Sequence, residues 1–375
     1  MIDSLNSGGA QRQLCMLAIL LKQRGFDTHV MFFRKSDFFR PLLNKGNVSV
    51  ELVPGRSKIR RSVEVIRALR RNKPDAVIAF LEGPTLLTEF SGFLPHDYAI
   101  IVSERSASFH EKRVKRFARF TLHRIADAVV TNSYSQLYFL QREAGWLKDR
   151  IKLIPNCVDL DYFRPIRYPV SQDPGEVRIL VMGRFAKEKN PISLVRAIAI
   201  LKRMEKETRV VVDWYGNNFF LDGKPSKFSS VFLDTQAVVQ ELALEDHFRL
   251  HSPVQDAVRL YYRASVVCLP SLWEGLPNVL CEAMACGKPI LASDVCDNAK
   301  LVKNGKNGFL FDPQSPDDIA HKVSDFCCLS EETKRQMGEN NRKLAEETFS
   351  PSRFADDYAQ FVLQVAHSRK RSSRA

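Results

Sequence analysis

The chain has 375 residues, 45% hydrophobic and 26% charged, with a formal net charge of +13. That length suits about two domains, and the composition excludes a disordered or low-complexity protein. The longest wholly apolar run, residues 14–21, falls far short of the roughly 18 residues a membrane-spanning helix needs.

The start, Met-Ile-Asp-Ser, carries no signal-peptide pattern, so a cytoplasmic protein is expected. Eight cysteines without a C-x-x-C pair or Cys/His metal spacing read as reduced, mostly buried small residues, and no metal site is expected.

Short β-branched runs alternate with longer helical patterns. Residues 30–33, 50–53, 76–80, 100–103, 128–131 and 152–154 read as strands of a first half. Of the seven residues before the Gly8-Gly9 turn only Met1 and Ile2 form an apolar run, so an opening strand is expected to be truncated. Residues 179–182, 210–215, 249–251, 266–269, 290–292 and 309–311 read as strands of a second half. Apolar runs bounded by helices imply parallel sheets covered on both faces. Pro-rich residues 164–176 mark a linker. The expected fold is α/β: two Rossmann-like, doubly wound domains, 1–165 and 166–350, facing across a cleft at the carboxyl ends of their strands. Residues 351–375 form a helix and basic tail, the helix expected to pack back toward the first domain.

The charge is uneven. Residues 1–165 hold 27 Lys+Arg against 16 Asp+Glu, and the remainder hold 29 against 27. The first half therefore faces something anionic. No nucleic-acid-binding pattern appears, so nucleic acid is not an expected partner. Within residues 109–125 (FHEKRVKRFARFTLHRI), a 100° period places Val114, Phe117, Ala118, Thr121 and Ile125 on the core side. Lys112, Arg113, Lys115, Arg116 and Arg119 fall opposite, with Phe109 and Phe120 on that basic side. A cationic face with large aromatics suits an anionic membrane surface, with Phe109, Lys112, Arg113, Arg116 and Phe120 as contacts. The other reading is a solvated basic face.

No G-x-G-x-x-G and no G-x-x-x-x-G-K-[ST] occurs, against a dehydrogenase or a P-loop NTPase. A block of different character starts at Pro270-Ser271-Leu272-Trp273-Glu274-Gly275-Leu276-Pro277-Asn278. It follows a buried strand, turns, opens a helix bearing Glu282, and closes on Gly287-Lys288-Pro289. Free amides at that helix start suit an anionic or hydroxyl-rich ligand. Two glutamates eight apart are common, recurring at Glu331, Glu339 and Glu347; the context is the specific part.

That block resembles the signature of the family-4 glycosyltransferases, the retaining GT-B group that uses nucleotide-activated sugars, and the resemblance covers nearly the whole chain. Ser7-Gly8-Gly9-Ala10-Gln11-Arg12 is similar to the family's glycine-rich loop, with Gln11 where Glu is common. Pro155-Asn156-Cys157-Val158-Asp159 resembles the segment closing the first domain. Gly183-Arg184-Phe185 with Lys189-Asn190 is similar to the phosphate-binding pair, and Asn304-Gly305-Lys306-Asn307-Gly308 to a loop near the end of the second domain. The resemblance implies that Arg184 and Lys189 neutralise the donor diphosphate without a metal ion. It implies that Glu282 accepts from ribose hydroxyls and that Glu274 holds the transferred sugar. Gly8, Gly9, Gly275, Leu276, Pro277 and Asn278 complete the donor contacts, with Glu274, Arg184 and Lys189 the catalytic set. No cofactor is expected beyond the nucleotide-sugar donor, a UDP-sugar by family frequency.

Two departures stand out. Many relatives carry a His after the fourth strand, where this chain has Glu104-Arg105. Either residue contacts sugar or acceptor in its place, or the sugar is held differently, or both form a buried ion pair bracing the domain. Lys300 stands where Glu is frequent, in a loop without the family's glycine pair. The implied activity is transfer of a hexose or N-acetylhexosamine to a lipid-linked or other membrane-associated saccharide, in bacterial surface polysaccharide assembly at the inner face of the plasma membrane. A soluble acceptor, a nucleotide-sugar epimerase, and a non-catalytic basic protein on a transferase fold are the alternatives.

Overall fold

A computed structural model describes residues 1–36, 38–55, 57–105, 112–166, 175–204, 208–216, 229–254 and 256–372. The chain forms two compact units, Met1–Cys157 with Phe349–Ala375, and Val158–Thr348. The expected boundary at residue 165 therefore moves back. Residues 158–165 belong to the second unit because Arg342 Nη1 donates to the carbonyls of Leu160 (3.2 Å) and Phe163 (2.9 Å). Phe163 also meets Tyr261 edge-on, 5.8 Å between ring centroids.

The first unit contains α1 (Gly9–Gln23), β1 (His29–Phe32), α2 (Arg40–Lys45), β2 (Ser49–Leu52), α3 (Lys58–Asn72) and β3 (Ala76–Phe80). It continues through α4 (Glu82–Ser91), β4 (Ala99–Glu104), α5 (Arg113–Leu122), β5 (Ala128–Thr131), α6 (Tyr134–Glu143) and β6 (Ile151–Leu153). All strand pairs are parallel, in the orders β1-β2 and β3-β4-β5-β6. The opening segment links the two groups. Ile2 N donates to Met31 O (3.0 Å), and Phe80 N donates to Met1 O (2.9 Å). β4 and β5 are wholly buried, as strands covered on both faces must be.

The second unit contains β7 (Glu176–Met182), α7 (Pro191–Arg203), β8 (Arg209–Tyr215), α8 (Ser229–Glu241), β9 (Phe248–His251), α9 (Val258–Arg263) and β10 (Val266–Leu269). Then come α10 (Asn278–Ala285), β11 (Ile290–Ser293), α11 (Asn298–Leu301), β12 (Gly308–Phe311), α12 (Pro316–Cys327) and α13 (Glu331–Thr348). Its sheet runs β12-β11-β10-β7-β8-β9, all parallel. The chain winds outward from β7 in one direction and returns at β10 for the other, so the crevice of this doubly wound sheet lies at the carboxyl ends of β7 and β10. Trp214, Phe185, Phe248, Phe311 and Phe326 fill the core on one face. The last helix, α14 (Pro351–Ser372), belongs to the first unit, where Phe354 and Tyr358 join the core under α1. Its basic end is tied down by Arg369 to Asp127 (3.6 Å) and Lys370 to Asp75 (2.5 Å).

Helix α5 is rotated from its expected setting. Val114 (83% exposed), Phe117 (64%) and Ala118 face outward, whereas Phe120 is fully buried. Arg116 is also drawn in, paired with Glu143 at 2.8 Å and over the Phe139 ring. Phe120 and Arg116 are thus not surface contacts, and Phe109 lies outside the described residues. The cause is electrostatic. Arg119 and His123, one turn apart, are pulled inward by the buried carboxylates Glu104 and Glu89. Pairing these four buried ionisable groups fixes which face of α5 turns in, and Val114, Phe117 and Ala118 are left outside. Lys112 and Arg113 are exposed as expected.

Candidate functional site

In the second unit the loop after β7 and the turn after β10 are stitched together. Leu272 N donates to Glu188 O (2.8 Å). Asn190 takes the left-handed conformation (φ 57°, ψ 46°) ahead of Pro191 at the start of α7. Its amide donates to Pro270 O (3.1 Å) and Pro313 O (2.7 Å). The result is an ion pair between Lys189 Nζ and Glu274 Oε1. The fully buried Ser271 donates to the same oxygen at 2.6 Å. Among the described residues nothing donates to the other oxygen, Oε2, so one face of this carboxylate is fixed and one is open.

Arg184 stands half-exposed beside this junction, paired with Glu188 at 2.9 Å. The Gly183 backbone that carries it accepts from Trp214 Nε1 (2.8 Å) and donates to Tyr215 O (3.0 Å). A Cβ on Gly216 would lie 1.9 Å from Gly183 O, so only glycine permits this approach. Leu276 and Pro277 are buried in the turn, Pro277 caps α10, and Asn278 opens it. Glu282 is 5% exposed on α10 and accepts from Tyr261 Oη at 2.8 Å. Beside the turn, at the ends of β10, β11 and β12, lies a cavity of about 520 Å3 lined by Leu272, Asp294, Val295, Asn304 and Asp312. Next in the chain to Val295, Cys296 adopts φ +52°, a setting that glycine adopts freely.

Arg184, Lys189, Glu274, the Gly275–Asn278 turn and Glu282 therefore belong to one unit, while Gly8, Gly9, Glu104 and Arg105 belong to the other. Gly8 caps α1, where a Cβ would strike the Gln11 side chain at 2.1 Å. Glu104 and Arg105 do not pair with each other. Glu104 accepts from His123 Nε2 (3.1 Å) and meets Arg119 (3.4 Å), and His123 Nδ1 lies 2.5 Å from Glu89. Burial alone would raise Glu104, yet the His123 bond and the Arg119 charge hold it below the usual carboxylate range. Burial would depress His123, but bonds to Glu104 and Glu89 push it up to about 9. The buried-ion-pair alternative thus describes Glu104, with α5 supplying its partners. Sequence reasoning missed Ser271, Tyr261, Glu188 and His123 as partners; Tyr261 stands 21 positions from Glu282, and no local pattern links them. Among the described residues no group of three His, Cys, Asp or Glu is placed to hold a metal ion. Nor is any helix there long and apolar enough to cross a membrane.

Two family models cover the two units almost end to end: Glycosyltransferase Family 4 over residues 7–162, and Glycosyl transferases group 1 over residues 165–344. The chain belongs to the family-4 glycosyltransferases. This glycosyltransferase, of enzyme class 2.4, is 26% identical over 98% of both chains to a Campylobacter jejuni alpha-1,4-N-acetyl-D-galactosaminyltransferase. That relative's name gives its substrate as a GalNAc-GalNAc-diNAcBac-PP-undecaprenol. A Nocardiopsis dassonvillei D-inositol 3-phosphate glycosyltransferase is 30% identical, over 54% of this chain and 48% of its own. Among solved structures, Anabaena HepE in complex with UDP-glucose superposes with a TM-score of 0.83 at 18% identity, covering 97% of this chain and 98% of its own. A Rickettsia africae glycosyltransferase gives 0.80 at 16% identity, covering 97% of both. The family-4 glycosyltransferase fold, GT-B with two parallel α/β domains, is thereby established.

Proposed function

We propose that the protein transfers a hexose or N-acetylhexosamine from a UDP-sugar to a lipid-linked saccharide, with retention at the anomeric carbon and without a metal ion. The observation that carries this reading is the junction of Lys189, Ser271 and Glu274 at the carboxyl edge of the second sheet, flanked by Arg184 and Glu282. Lys189 and Arg184 would neutralise the departing diphosphate, Arg184 with a guanidinium fork suited to phosphate oxygens. The open oxygen of Glu274 would accept from a sugar hydroxyl, and the fixed one would hold the carboxylate in place. Glu282, steadied by Tyr261, would accept from ribose. In the transfer, the bond from the anomeric carbon to the diphosphate breaks. A bond from the acceptor hydroxyl oxygen forms on the same face, and the hydroxyl proton leaves with the diphosphate.

The UDP-glucose in the HepE structure and the undecaprenol-linked substrate of the Campylobacter relative support the donor and acceptor assignments. Peripheral attachment to the inner membrane face is supported by exposed Val114 and Phe117 among Lys112, Arg113 and Lys115. The D-inositol 3-phosphate relatives, matched over about half their length, favour a soluble phosphorylated acceptor as the second reading.

The test is thermal shift against UDP, GDP, ADP and their sugar conjugates, followed by transfer assays with polyprenyl-diphosphate saccharides and with inositol phosphate. A ligand at a hundredfold excess over its Kd stabilises by about 2.7 kcal/mol. The expected result is stabilisation by a UDP-sugar, weakened in Arg184→Ala, and transfer to the lipid-linked acceptor that Glu274→Ala abolishes. Full transfer by folded Glu274→Ala would overturn the reading.

A further inference from the structure

Arg105, at the end of β4 in the first unit, is a half-buried guanidinium whose partners are all neutral. Its Nη2 donates to Asn156 Oδ1. Its Nη1 lies 3.4 Å from both Ser103 Oγ and Tyr358 Oη. Its Cζ sits 4.9 Å from the centroid of the Phe80 ring. Among the described residues no carboxylate pairs with it. The adjacent Glu104 is engaged by His123 and Arg119. Burial pulls the guanidinium below its ordinary pKa, so holding this charge has a cost that no internal counter-ion offsets.

The surroundings orient the group more than they neutralise it. Asn156 is itself fixed by Asn132 Nδ2 (3.1 Å), and Tyr358 is wholly buried on α14. Ser103, Asn156 and Phe80 come from the carboxyl ends of β4, β6 and β3, the edge at which open parallel sheets bind ligands. A cation held rigidly by neutral groups, at a ligand-binding edge and without a counter-ion, is a preorganised receptor for an anion.

We infer that Arg105 is the counter-charge for a phosphate or diphosphate group brought by a substrate of the transfer reaction. The inference rests on the transferase reading above. It deepens that reading by requiring a phosphoryl anion at the first unit, whereas a neutral saccharide would satisfy the transferase reading alone. Two substrates carry that chemistry, the nucleotide donor and a phosphate-linked acceptor.

The experiment compares wild type with Arg105→Met, which removes the charge and keeps apolar bulk over Phe80, and with Arg105→Lys. Three quantities are measured: ligand-free Tm, calorimetric Kd for UDP and for inorganic pyrophosphate, and KM for a polyprenyl-diphosphate saccharide beside a neutral saccharide. Arg105→Met is expected to keep or raise the ligand-free Tm, because an uncompensated charge is gone. Pyrophosphate binding should weaken roughly 10- to 100-fold, with Arg105→Lys intermediate. A matching rise in acceptor KM, with UDP binding and the neutral saccharide unaffected, assigns the anion to the acceptor. A weaker UDP Kd assigns it to the donor. Equal binding constants in wild type and Arg105→Met overturn the inference. So does failure of Arg105→Met to fold, which would make the residue an internal brace. The binding measurements need no turnover, so absence of any sugar transfer by wild type would count against the transferase reading and leave this one to its own test.

Discussion

The buried group of Glu89, Glu104, Arg119 and His123 makes the first unit sensitive to alkali. All four side chains are at most 7% exposed, so solvent screens them little. His123 is pushed from 6.5 to about 9 by its two carboxylates. At 1.36 kcal/mol per pH unit, that displacement contributes about 3 kcal/mol to folding. Because the folded value is the higher one, the contribution is complete below pH 6.5 and is lost as pH rises through about 9. The buried Met1 amine, pulled down by burial from 8.0 to about 5, works in the opposite sense up to pH 8. The His123 loss therefore shows between pH 8 and 9, where it amounts to about 1 kcal/mol. The assay is NMR titration of the eight imidazoles, with urea denaturation at pH 8 and 9 followed through the amides of β3 to β6. One imidazole should stay protonated until about pH 9 while the urea midpoint falls. If every imidazole titrates near 6.5, or the midpoint is flat, the reasoning fails.

The second unit supports three further tests and the first unit one. Gly216→Ala forces a methyl group onto the Gly183 carbonyl and should destabilise by about 1–3 kcal/mol while weakening UDP binding, read by urea denaturation and calorimetry. Tyr261→Phe removes the 2.8 Å bond to buried Glu282 and should cost about 1.5–3 kcal/mol by the same denaturation assay. Ser271→Ala should lower kcat with little change in UDP affinity, because Glu274 loses the 2.6 Å donor that fixes its carboxylate; an unchanged kcat would contradict the shared-oxygen geometry. Replacing Val114 and Phe117 with Ser should weaken flotation with anionic vesicles at least tenfold, whereas Phe120→Ser should instead unfold the first unit.

The strands were the most legible part of the sequence. All twelve expected runs are strands, displaced by a residue or so at most ends, because buried parallel strands are apolar on both faces and carry an unbroken signal. The loops that carry Arg184, Lys189 and Glu274 were legible through a resemblance that rests on local motifs. Helix α5 was not. A periodicity argument assigns charged residues to solvent, and Arg119 and His123 turn inward only because Glu89 and Glu104 wait for them on other elements. Residues 158–165 were misassigned for a similar reason, since Arg342 holds them from nearly two hundred positions away. Both failures come from side chains whose partners are distant in sequence.

The return of α14 to the first unit sets an order on synthesis. Phe354 and Tyr358 complete a core begun by Ile2, Leu5 and Leu14, yet all of Val158–Thr348 is made in between. At about 5–20 residues per second, those roughly 190 residues take about 10–40 s to emerge. During that interval the first unit stands outside the ribosome without the apolar residues that α14 adds under α1, whereas the second unit has every residue it needs as soon as Thr348 emerges. The inserted unit can finish first, and the nascent first half is the stretch on which a chaperone would have to wait.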